Sequence, residues 1–281
     1  MPIVSFVITV RNGEAYLEKC IDSILGQTLK DFECIILNNG STDRTPEILK
    51  QCTDPRFKII HQEDLGVSRS LNRGIHLSDC DLIARLDADD LPSAQRLEKQ
   101  TMFMIENPQV VLCGSRFREL IGVNSFAQKV TFIETDKAIK KSLSLFNPFA
   151  HSTVMFRKKS FIESGGYNDQ LKYGLDYELW LRMLTLGEGH NLKDELCDIR
   201  VTEHSLSYQN KRRQKLEGLV IRWNAFKNFG GNPNEFLGQR HDLTPDIIGK
   251  IAKKFKENGA TILGGCCETR PSHIKAMASI K

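Results

Sequence analysis

Short apolar runs alternate with helical patterns over the first half of the chain. The runs are rich in β-branched residues and short enough to form buried strands, which are predicted at residues 3–10, 32–37, 57–61, 81–86 and 110–115. Between them, apolar residues at helical spacing predict helices at 14–28, 67–77 and 93–106. A further helix is predicted to follow Thr45, which is its expected N-cap, with Pro46 at the first helical position. This alternation predicts an α/β fold with a mainly parallel central sheet covered on both faces.

The pattern becomes less regular after about residue 116. It predicts a helix at 135–146, a strand at 151–156, a helix at 175–184 and a closing helix at about 211–229. Trp180 falls on the apolar face of its helix and is predicted to be a core residue. We therefore expect one domain at residues 1–231, a turn-rich linker at 232–242 and a small helix–strand–helix unit at 243–281.

Composition excludes few classes of protein. The 281 residues carry a net charge of only +4, too weak to indicate nucleic-acid binding, and the basic run at 211–215 is expected on a solvated helix face. The N-terminus has no basic leader, and no apolar run approaches the roughly 20 residues of a membrane span. The eight irregularly spaced cysteines are typical of reduced thiols. We expect a cytoplasmic protein, and peripheral contact with the inner face of the cell membrane and homo-oligomers are compatible with the sequence.

Three carboxylates follow the fourth apolar run within four residues, at Asp87, Asp89 and Asp90. In parallel sheets, ligands bind at the carboxyl ends of the strands. Asp87 and Asp89 are separated by one residue and can share a divalent cation with the phosphates of a ligand, for which Mg²⁺ or Mn²⁺ is suited. Asp90 is predicted to belong to the start of the following helix, whose first turn favours acidic residues.

Polar turns follow the first two predicted strands. The first turn contains Thr9, Arg11 and Asn12, and the second begins with Asn38 and Asn39. Exposed backbone N–H groups and polar side chains in such strand-to-helix turns can hold a nucleotide. The glycine patterns of dinucleotide-binding folds and of P-loops are absent from the sequence.

Five ordered segments resemble the successive motifs of the family 2 inverting glycosyltransferases of GT-A fold. They span about residues 2–230 and read "VSFVITVRNGEAYLEKCIDSILGQTLKDFECIILNNGSTDRTPEIL", "GVSRSLNRGI", "LIARLDADDLPSAQRLEKQ", "HSTVMFRK" and "LDYELWLRM". The resemblance implies a Rossmann-like nucleotide-sugar-binding domain. It also implies metal-dependent transfer of a sugar, of hexosyltransferase type, from a nucleotide-sugar to an acceptor hydroxyl with inversion.

The resemblance implies roles for the acidic residues. Asp87 and Asp89 hold the divalent metal on the donor diphosphate, with Asp89 the more direct ligand. Asp176 is the general base that accepts the proton of the acceptor hydroxyl, and Glu178 is the alternative. An acidic first helical turn without a catalytic role is the other interpretation of Asp176 and Glu178.

The resemblance also implies roles for binding residues. Thr9, Arg11 and Asn12 match the segment that lines the nucleotide, and Arg85 precedes the acidic cluster and can approach the diphosphate. His151 stands where the family often has a histidine near the sugar or the metal, although a lone histidine at a strand start can equally be structural.

Two positions depart from the family pattern. Asn39 replaces the aspartate that often accepts the uracil N3–H; its carbonyl oxygen can still accept, but the charge is missing. A UDP-sugar remains the first expectation, with thymidine and guanosine donors open. Leu175 replaces a glutamate before the base, which removes a like charge and should leave Asp176 more readily ionised and a weaker base.

Residues 243–281 resemble the C-terminal end of homocysteine S-methyltransferases, whose paired cysteines bind zinc. Cys266 and Cys267 match that pair, but a zinc site needs three or four protein ligands, and the only further candidates are Cys197 and His273.

The main prediction is a glycosyltransferase that acts on a glycan or lipid-linked acceptor in bacterial surface polysaccharide or glycolipid synthesis. A non-catalytic nucleotide-sugar binder and a zinc-dependent homocysteine S-methyltransferase-related protein are the alternatives.

Overall fold

A computed structural model describes residues 2–121, 125–127, 132–171 and 173–201, and a few positions between 218 and 230. Most of the predicted helix at 211–229, the linker at 232–242 and the unit at 243–281 lie outside the described residues. Among the residues described, no helix is long and apolar enough to cross a membrane.

Nine strands and seven α-helices build the described domain. The strands are β1 (Val4–Val10), β2 (Phe32–Asn39), β3 (Phe57–Gln62), β4 (Leu82–Arg85), β5 (Leu91–Pro92), β6 (Val110–Ile121), β7 (Ser125–Ala127), β8 (Met155–Arg157) and β9 (Glu188–Val201). The helices are α1 (Leu17–Leu25), α2 (Thr45–Gln51), α3 (Val67–Leu77), α4 (Arg96–Glu106), α5 (Asp136–Ser142), α6 (Lys158–Glu163) and α7 (Leu175–Met183).

One mixed sheet contains all nine strands. Its order is β3-β2-β1-β4-β8-β6-β9-β5, with β7 paired to β6. The pairs β3-β2, β2-β1 and β1-β4 are parallel, as the sequence predicts. The other half is mixed, because β8 runs antiparallel to both β4 and β6, while β6 and β9 are parallel. The carboxyl ends of β1, β2, β3 and β4 therefore lie at one edge.

Several predicted boundaries are wrong. Residues 151–153 form a short 3₁₀ turn rather than the start of a strand, and β8 begins only at Met155. Thr45 lies inside α2 with Arg44 at the N-cap, and its hydroxyl accepts the Gly13 N–H instead (2.8 Å). Asp90 lies in the turn before β5, because α4 begins only at Arg96.

Apolar side chains cover both faces of the sheet. Helices α1, α2 and α4 pack on one face, and α3 and α7 pack on the other. Trp180 is fully buried against Phe149 and Phe156, which confirms its prediction as a core residue. The rigid sheet thus supports the loops at its carboxyl edge.

Two buried side chains of α4 hold the strands beneath the acidic turn. Arg96 Nη2 donates to the carbonyl oxygens of Arg85 (2.7 Å) and Val154 (3.1 Å), where β4 and β8 end their pairing. Gln100 Nε2 donates to the carbonyl oxygen of Thr153 (2.8 Å). Buried carbonyl groups need such partners, so Arg96 and Gln100 fix the strand ends that carry Asp87 and the 151–153 turn.

We expect Arg96→Met to lower the free energy of unfolding by about 1–3 kcal/mol, because the Arg85 carbonyl oxygen loses the guanidinium donor, whereas the Val154 carbonyl oxygen keeps the Arg85 N–H. Urea unfolding followed by circular dichroism measures the change. Arg56→Met is the matched control: Arg56 forms a partly exposed ion pair with Asp54, whose loss should cost about 1 kcal/mol or less. Equal effects of the two variants would contradict the proposed role of Arg96.

Candidate active site

The acidic turn begins where β4 ends. The buried Arg85 donates from Nη2 to Asp87 Oδ1 (2.6 Å), and Ser152 Oγ donates to Asp87 Oδ2 (3.0 Å). Burial alone would raise the pKa of Asp87, but the Arg85 charge and these hydrogen bonds bring it below its usual range. The Asp87 side chain remains 43% exposed, so an ionised carboxylate is available at the carboxyl edge of the sheet.

Asp90 connects the acidic turn to β9 by a hydrogen bond. Its side chain is buried and accepts the Arg200 N–H at Oδ1 (2.7 Å), while Arg200 Nε donates to the Asp89 carbonyl oxygen (3.2 Å). Burial and the charges of Asp87 and Asp89 raise the Asp90 pKa to about 8. This replaces the prediction that Asp90 belongs to a helix start.

Asp89 is half-buried beside Asp87. Burial and the Asp87 charge raise the pKa of Asp89, because the two neighbouring carboxylates repel each other when both are ionised. A divalent cation would relieve this repulsion, and two hard oxygen ligands suit a Mg²⁺ or Mn²⁺ ion that completes its shell with phosphate and water. In the described part of the chain, no group of three or more histidine, cysteine, aspartate or glutamate side chains is arranged to hold a metal ion.

His151 lies in a partly buried aromatic group. Its Nε2 hydrogen-bonds to the Tyr167 hydroxyl (2.7 Å), and its ring packs edge-on against Tyr167 and Trp180. Burial and the Arg85 charge hold its pKa well below the usual range, so the imidazole is neutral at pH 7. A neutral imidazole can bind a metal, but one of its two nitrogens is engaged by Tyr167.

Asp176 lies in the first turn of α7, half-buried. Asn147 Nδ2 donates to its Oδ2 (2.8 Å). Burial raises the pKa of Asp176, and hydrogen bonds from the backbone and Asn147 offset part of that rise. Asp176 is therefore less readily ionised than the sequence led us to expect from Leu175, because burial outweighs the loss of a like charge. Glu178 is placed differently: both of its oxygens accept hydrogen bonds from Arg182 (2.9 and 2.7 Å) on the same helix.

The acidic turn after β4 and helix α7 are linked through residues 151–153. Ser152 Oγ donates to Asp87, and the ring of its neighbour His151 packs on Trp180 of α7, with 6.0 Å between ring centroids. The acidic turn and α7 are therefore neighbours in space, although about ninety residues separate them in sequence. Arg85 Nε and Nη1 are buried and lack a hydrogen-bond partner within the described residues. The Arg85 side chain is thus buried beneath the acidic turn, and it contacts Asp87 rather than solvent.

The loop after β1 is fixed by Asn12. Asn12 has a positive φ of 56°, which asparagine tolerates better than most residues. Its Oδ1 accepts the Thr42 N–H (2.8 Å), and its own N–H donates to Ser41 Oγ (3.0 Å). Asn12 therefore ties the loop after β1 to the loop after β2, while Thr9 lies half-buried within β1.

Asn39 is buried and its amide is already engaged. Its Oδ1 accepts hydrogen bonds from the Gln62 side chain (3.0 Å), the Leu65 N–H (2.9 Å) and Ser70 Oγ (2.9 Å). Its Nδ2 donates to Asp64 Oδ1 (3.0 Å). Asn39 thus holds the loop between β3 and α3, and its carbonyl oxygen has no free direction toward a ligand.

Asp64 lies at the same edge of the sheet, although the sequence patterns do not single it out. It lies in the turn after β3 and pairs through Oδ2 with Arg11 Nη1 (2.5 Å). The side chains of Arg11 and Asp64 are 56% and 40% exposed. In parallel sheets, ligands bind at the carboxyl ends of the strands, and this rule also applies to the turn after β3.

The cysteines do not form a metal site in the described part of the chain. Cys197 is buried in β9, and burial together with the Asp90 charge raises its thiol pKa well above the usual range. Such a thiol is a poor metal ligand, because metals bind the thiolate. Cys266, Cys267 and His273 lie outside the described residues.

Two family models match the chain. The model "Glycosyl transferase family 2" matches residues 5–165, which contain the loops after β1 and β2 and the acidic turn. The model "Homocysteine S-methyltransferase" matches residues 201–280, of which the structure describes only scattered positions.

Curated relatives are similar over most of their length. The O-antigen biosynthesis glycosyltransferase WbnJ of Escherichia coli is 34% identical over 76% of this chain and 83% of its own length. The amylovoran biosynthesis glycosyltransferase AmsE of Erwinia amylovora is 32% identical over 74% of this chain and 79% of its own.

Solved structures share the fold. Residues 1–349 of S. aureus TarS, in complex with UDP-GlcNAc, match with a TM-score of 0.66 and 16% identity over 92% of this chain and 82% of that one. The mannosyltransferase PcManGT of Pyrobaculum calidifontis, in complex with GDP-Man and Mn²⁺, matches with a TM-score of 0.59 and 16% identity over 99% of this chain and 79% of that one. These likenesses confirm the predicted fold class.

Proposed function

Because the chain belongs to glycosyl transferase family 2, we propose that it transfers a sugar from a nucleoside-diphosphate donor to an acceptor hydroxyl with inversion at the anomeric carbon. The observation that carries this proposal is the proximity of the acidic turn to α7: Ser152 hydrogen-bonds to Asp87, and its neighbour His151 packs on Trp180, one helical turn after Asp176. Two acidic groups with different surroundings favour two roles, one at the diphosphate and one at the acceptor.

Asp87 and Asp89 are the residues that would hold a divalent cation. The partial exposure of both carboxylates, the burial and Asp87 charge that raise the Asp89 pKa, and the Mn²⁺ in the PcManGT complex support this assignment. When bound, such a cation offsets the charge that builds on the leaving diphosphate. Arg85 and Ser152 hold the Asp87 carboxylate in one orientation, and Asp90 and Arg200 hold the turn.

Asp176 is the better candidate for the general base. Glu178 is engaged in a two-point ion pair with Arg182, whereas the only side-chain hydrogen bond to Asp176 comes, among the described residues, from Asn147. A pKa above the usual value for aspartate makes Asp176 a stronger base once it is ionised. It would accept the proton of the acceptor hydroxyl as the new glycosidic bond forms.

The donor is proposed to be a UDP-sugar and the setting a bacterial surface polysaccharide. The TarS complex contains UDP-GlcNAc, and the names of WbnJ and AmsE refer to O-antigen and amylovoran biosynthesis. The acceptor would be a hydroxyl of a glycan or of a lipid-linked glycan.

Release of nucleoside diphosphate tests the proposal. Purified full-length protein is incubated with UDP-, GDP- and dTDP-sugars, with Mn²⁺ or with EDTA, and with a lipid-linked or oligosaccharide acceptor mixture. We expect Mn²⁺-dependent release from one donor class. Binding of a donor without release under any of these conditions would favour a non-catalytic binder, and absence of both binding and release would contradict the proposal.

A further inference from the structure

A short segment that follows α5 is fixed between β9 and α7. The buried Asn191 of β9 donates from Nδ2 to the Pro148 carbonyl oxygen (3.1 Å). The Phe149 ring packs edge-on against Trp180 of α7, with 6.4 Å between the ring centroids. These contacts fix the backbone next to Asn147.

The side-chain amide of Asn147 has one orientation toward Asp176. Its Oδ1 accepts the Phe149 N–H (3.1 Å), so its Nδ2, which can only donate, is turned toward Asp176 Oδ2 (2.8 Å). Such a donated hydrogen bond favours the ionised form of a carboxyl group. Within the described residues, Asp176 Oδ1 receives no hydrogen bond from a side chain. Asn147 thus holds one of the two carboxylate oxygens.

We propose that Asn147 is the positioning residue of the general base: it holds Asp176 by Oδ2 so that Oδ1 accepts the proton of the acceptor hydroxyl. The inference rests on the proposed function, which gives Asp176 its role as the base. A base must lie within hydrogen-bond reach of the proton that it removes, and an error of about 1 Å can cost about 10²-fold in rate. Because its own segment is fixed, Asn147 can hold the carboxylate in one place.

The other polar groups around Asp176 do not hold it in this way. The charged or ionisable side chains that act on Asp176 include Arg85, Tyr167 and Tyr177. Both tyrosine hydroxyls are hydrogen-bonded to other groups, and Arg85 donates to the acidic turn. Asn147 is neutral, so it donates to the carboxylate without adding a charge, and its hydrogen bond offsets part of the rise in the Asp176 pKa that burial causes.

Asn147→Leu removes the donor and keeps the approximate size of the side chain. We expect kcat to fall about 10–10²-fold and the affinity for UDP in the presence of Mn²⁺ to stay within about twofold, because the acidic turn is unchanged. In the Asp176→Asn background, the same substitution should change kcat by less than about twofold, because a positioning residue acts only through the group that it positions. Initial rates of nucleoside diphosphate release by the full-length protein and titration calorimetry of UDP measure these effects.

Asn147→Asp tests the donor alone, because a carboxylate in its place can still accept the Phe149 N–H. It puts an acceptor opposite Asp176 Oδ2, and two carboxyl groups at hydrogen-bond distance share a proton, so that the second of them ionises with a strongly raised pKa. The base is then protonated at neutral pH. We expect kcat/KM at pH 7 to fall at least about tenfold and to recover as the pH rises, with the acid limb of the profile shifted upward by at least about one pH unit.

Asn168→Asp is the matched control, because it makes the same change in the same kind of turn. Asn168 is exposed, and its Oδ1 accepts the Gln170 N–H (3.0 Å), as Asn147 Oδ1 accepts the N–H two residues further on. We expect kcat/KM within about twofold of wild type and an unshifted pH profile.

Two results would show that the positioning role is wrong while the proposed function stands. In the first, both Asn147 variants keep the wild-type kcat and pH profile. In the second, Asn147→Leu lowers kcat equally in the wild-type and Asp176→Asn backgrounds. Full turnover in Asp176→Asn, or no turnover of any donor by the wild-type protein, would overturn both the positioning role and the function on which it rests.

Discussion

Replacing Asp176 by Asn should lower kcat by about 10²–10⁴-fold and leave the affinity for the donor nucleotide within about twofold. A positioned general base contributes an acceleration of that size, and an amide cannot accept the proton of the acceptor hydroxyl. The substitution preserves the shape of the side chain, and the amide oxygen can still accept the hydrogen bond from Asn147. Initial rates of nucleoside diphosphate release, together with titration calorimetry of UDP, separate the two quantities.

The matched control for Asp176 is Glu178→Gln. Glu178 lies two residues away on the same helix but is paired with Arg182, so its loss should lower thermal stability and reduce kcat by less than about tenfold. In the wild-type protein, kcat/KM should fall as the pH drops through a pKa above the usual aspartate value, because the base must be ionised. Full turnover in Asp176→Asn, or an equal loss in both variants, would show that Asp176 is not the base.

Asp89→Asn should reduce kcat/KM by about 10³-fold and remove most of the Mn²⁺ dependence of UDP binding. The substitution deletes one of two anionic oxygen ligands, and the charge that a bound cation offsets at the diphosphate amounts to several kcal/mol of the barrier. Calorimetric titration of UDP with and without Mn²⁺, beside the rate measurement, reports both effects.

The matched control for Asp89 is Asp90→Asn, the same substitution at the neighbouring position. Asp90 is buried against β9, and its pKa of about 8 means that the neutral amide resembles its protonated form. An amide oxygen can still accept the Arg200 N–H. We expect kcat/KM within about threefold of wild type. Loss of Mn²⁺-dependent binding in Asp90→Asn but not in Asp89→Asn would reverse the assignment of the metal-binding carboxylates.

The parallel half of the fold is predictable because its information is local. The strands β1, β2 and β4 are buried and therefore appear as mainly apolar runs, and helix α3 occupies Val67–Leu77, as its apolar spacing predicts. The strand β9 is not predictable in this way. Its run of Lys193, Asp194 and Glu195 interrupts the apolar pattern where the β6–β9 register is irregular.

The hydrogen bonds of the site depend on tertiary contacts that a linear pattern does not contain. The Asn39 side-chain amide is hydrogen-bonded to residues 62, 64, 65 and 70. Asp64 in turn forms an ion pair with Arg11, which follows a different strand. Residue identity suggested Asn39 as a contact to the base. In the folded chain its carbonyl oxygen accepts hydrogen bonds from residues 62, 65 and 70, which leave it no free direction toward a base.

The configuration of the transferred sugar is the most direct test of the central claim, which is displacement in one step by a base-activated hydroxyl. The purified protein is supplied with an α-linked UDP-sugar and Mn²⁺, with acceptor or with water alone, and the anomeric proton of the first product is followed by ¹H NMR before mutarotation. Attack from the face opposite the diphosphate predicts a β-configured product that Asp176→Asn fails to form. An α-configured first product would contradict the proposal.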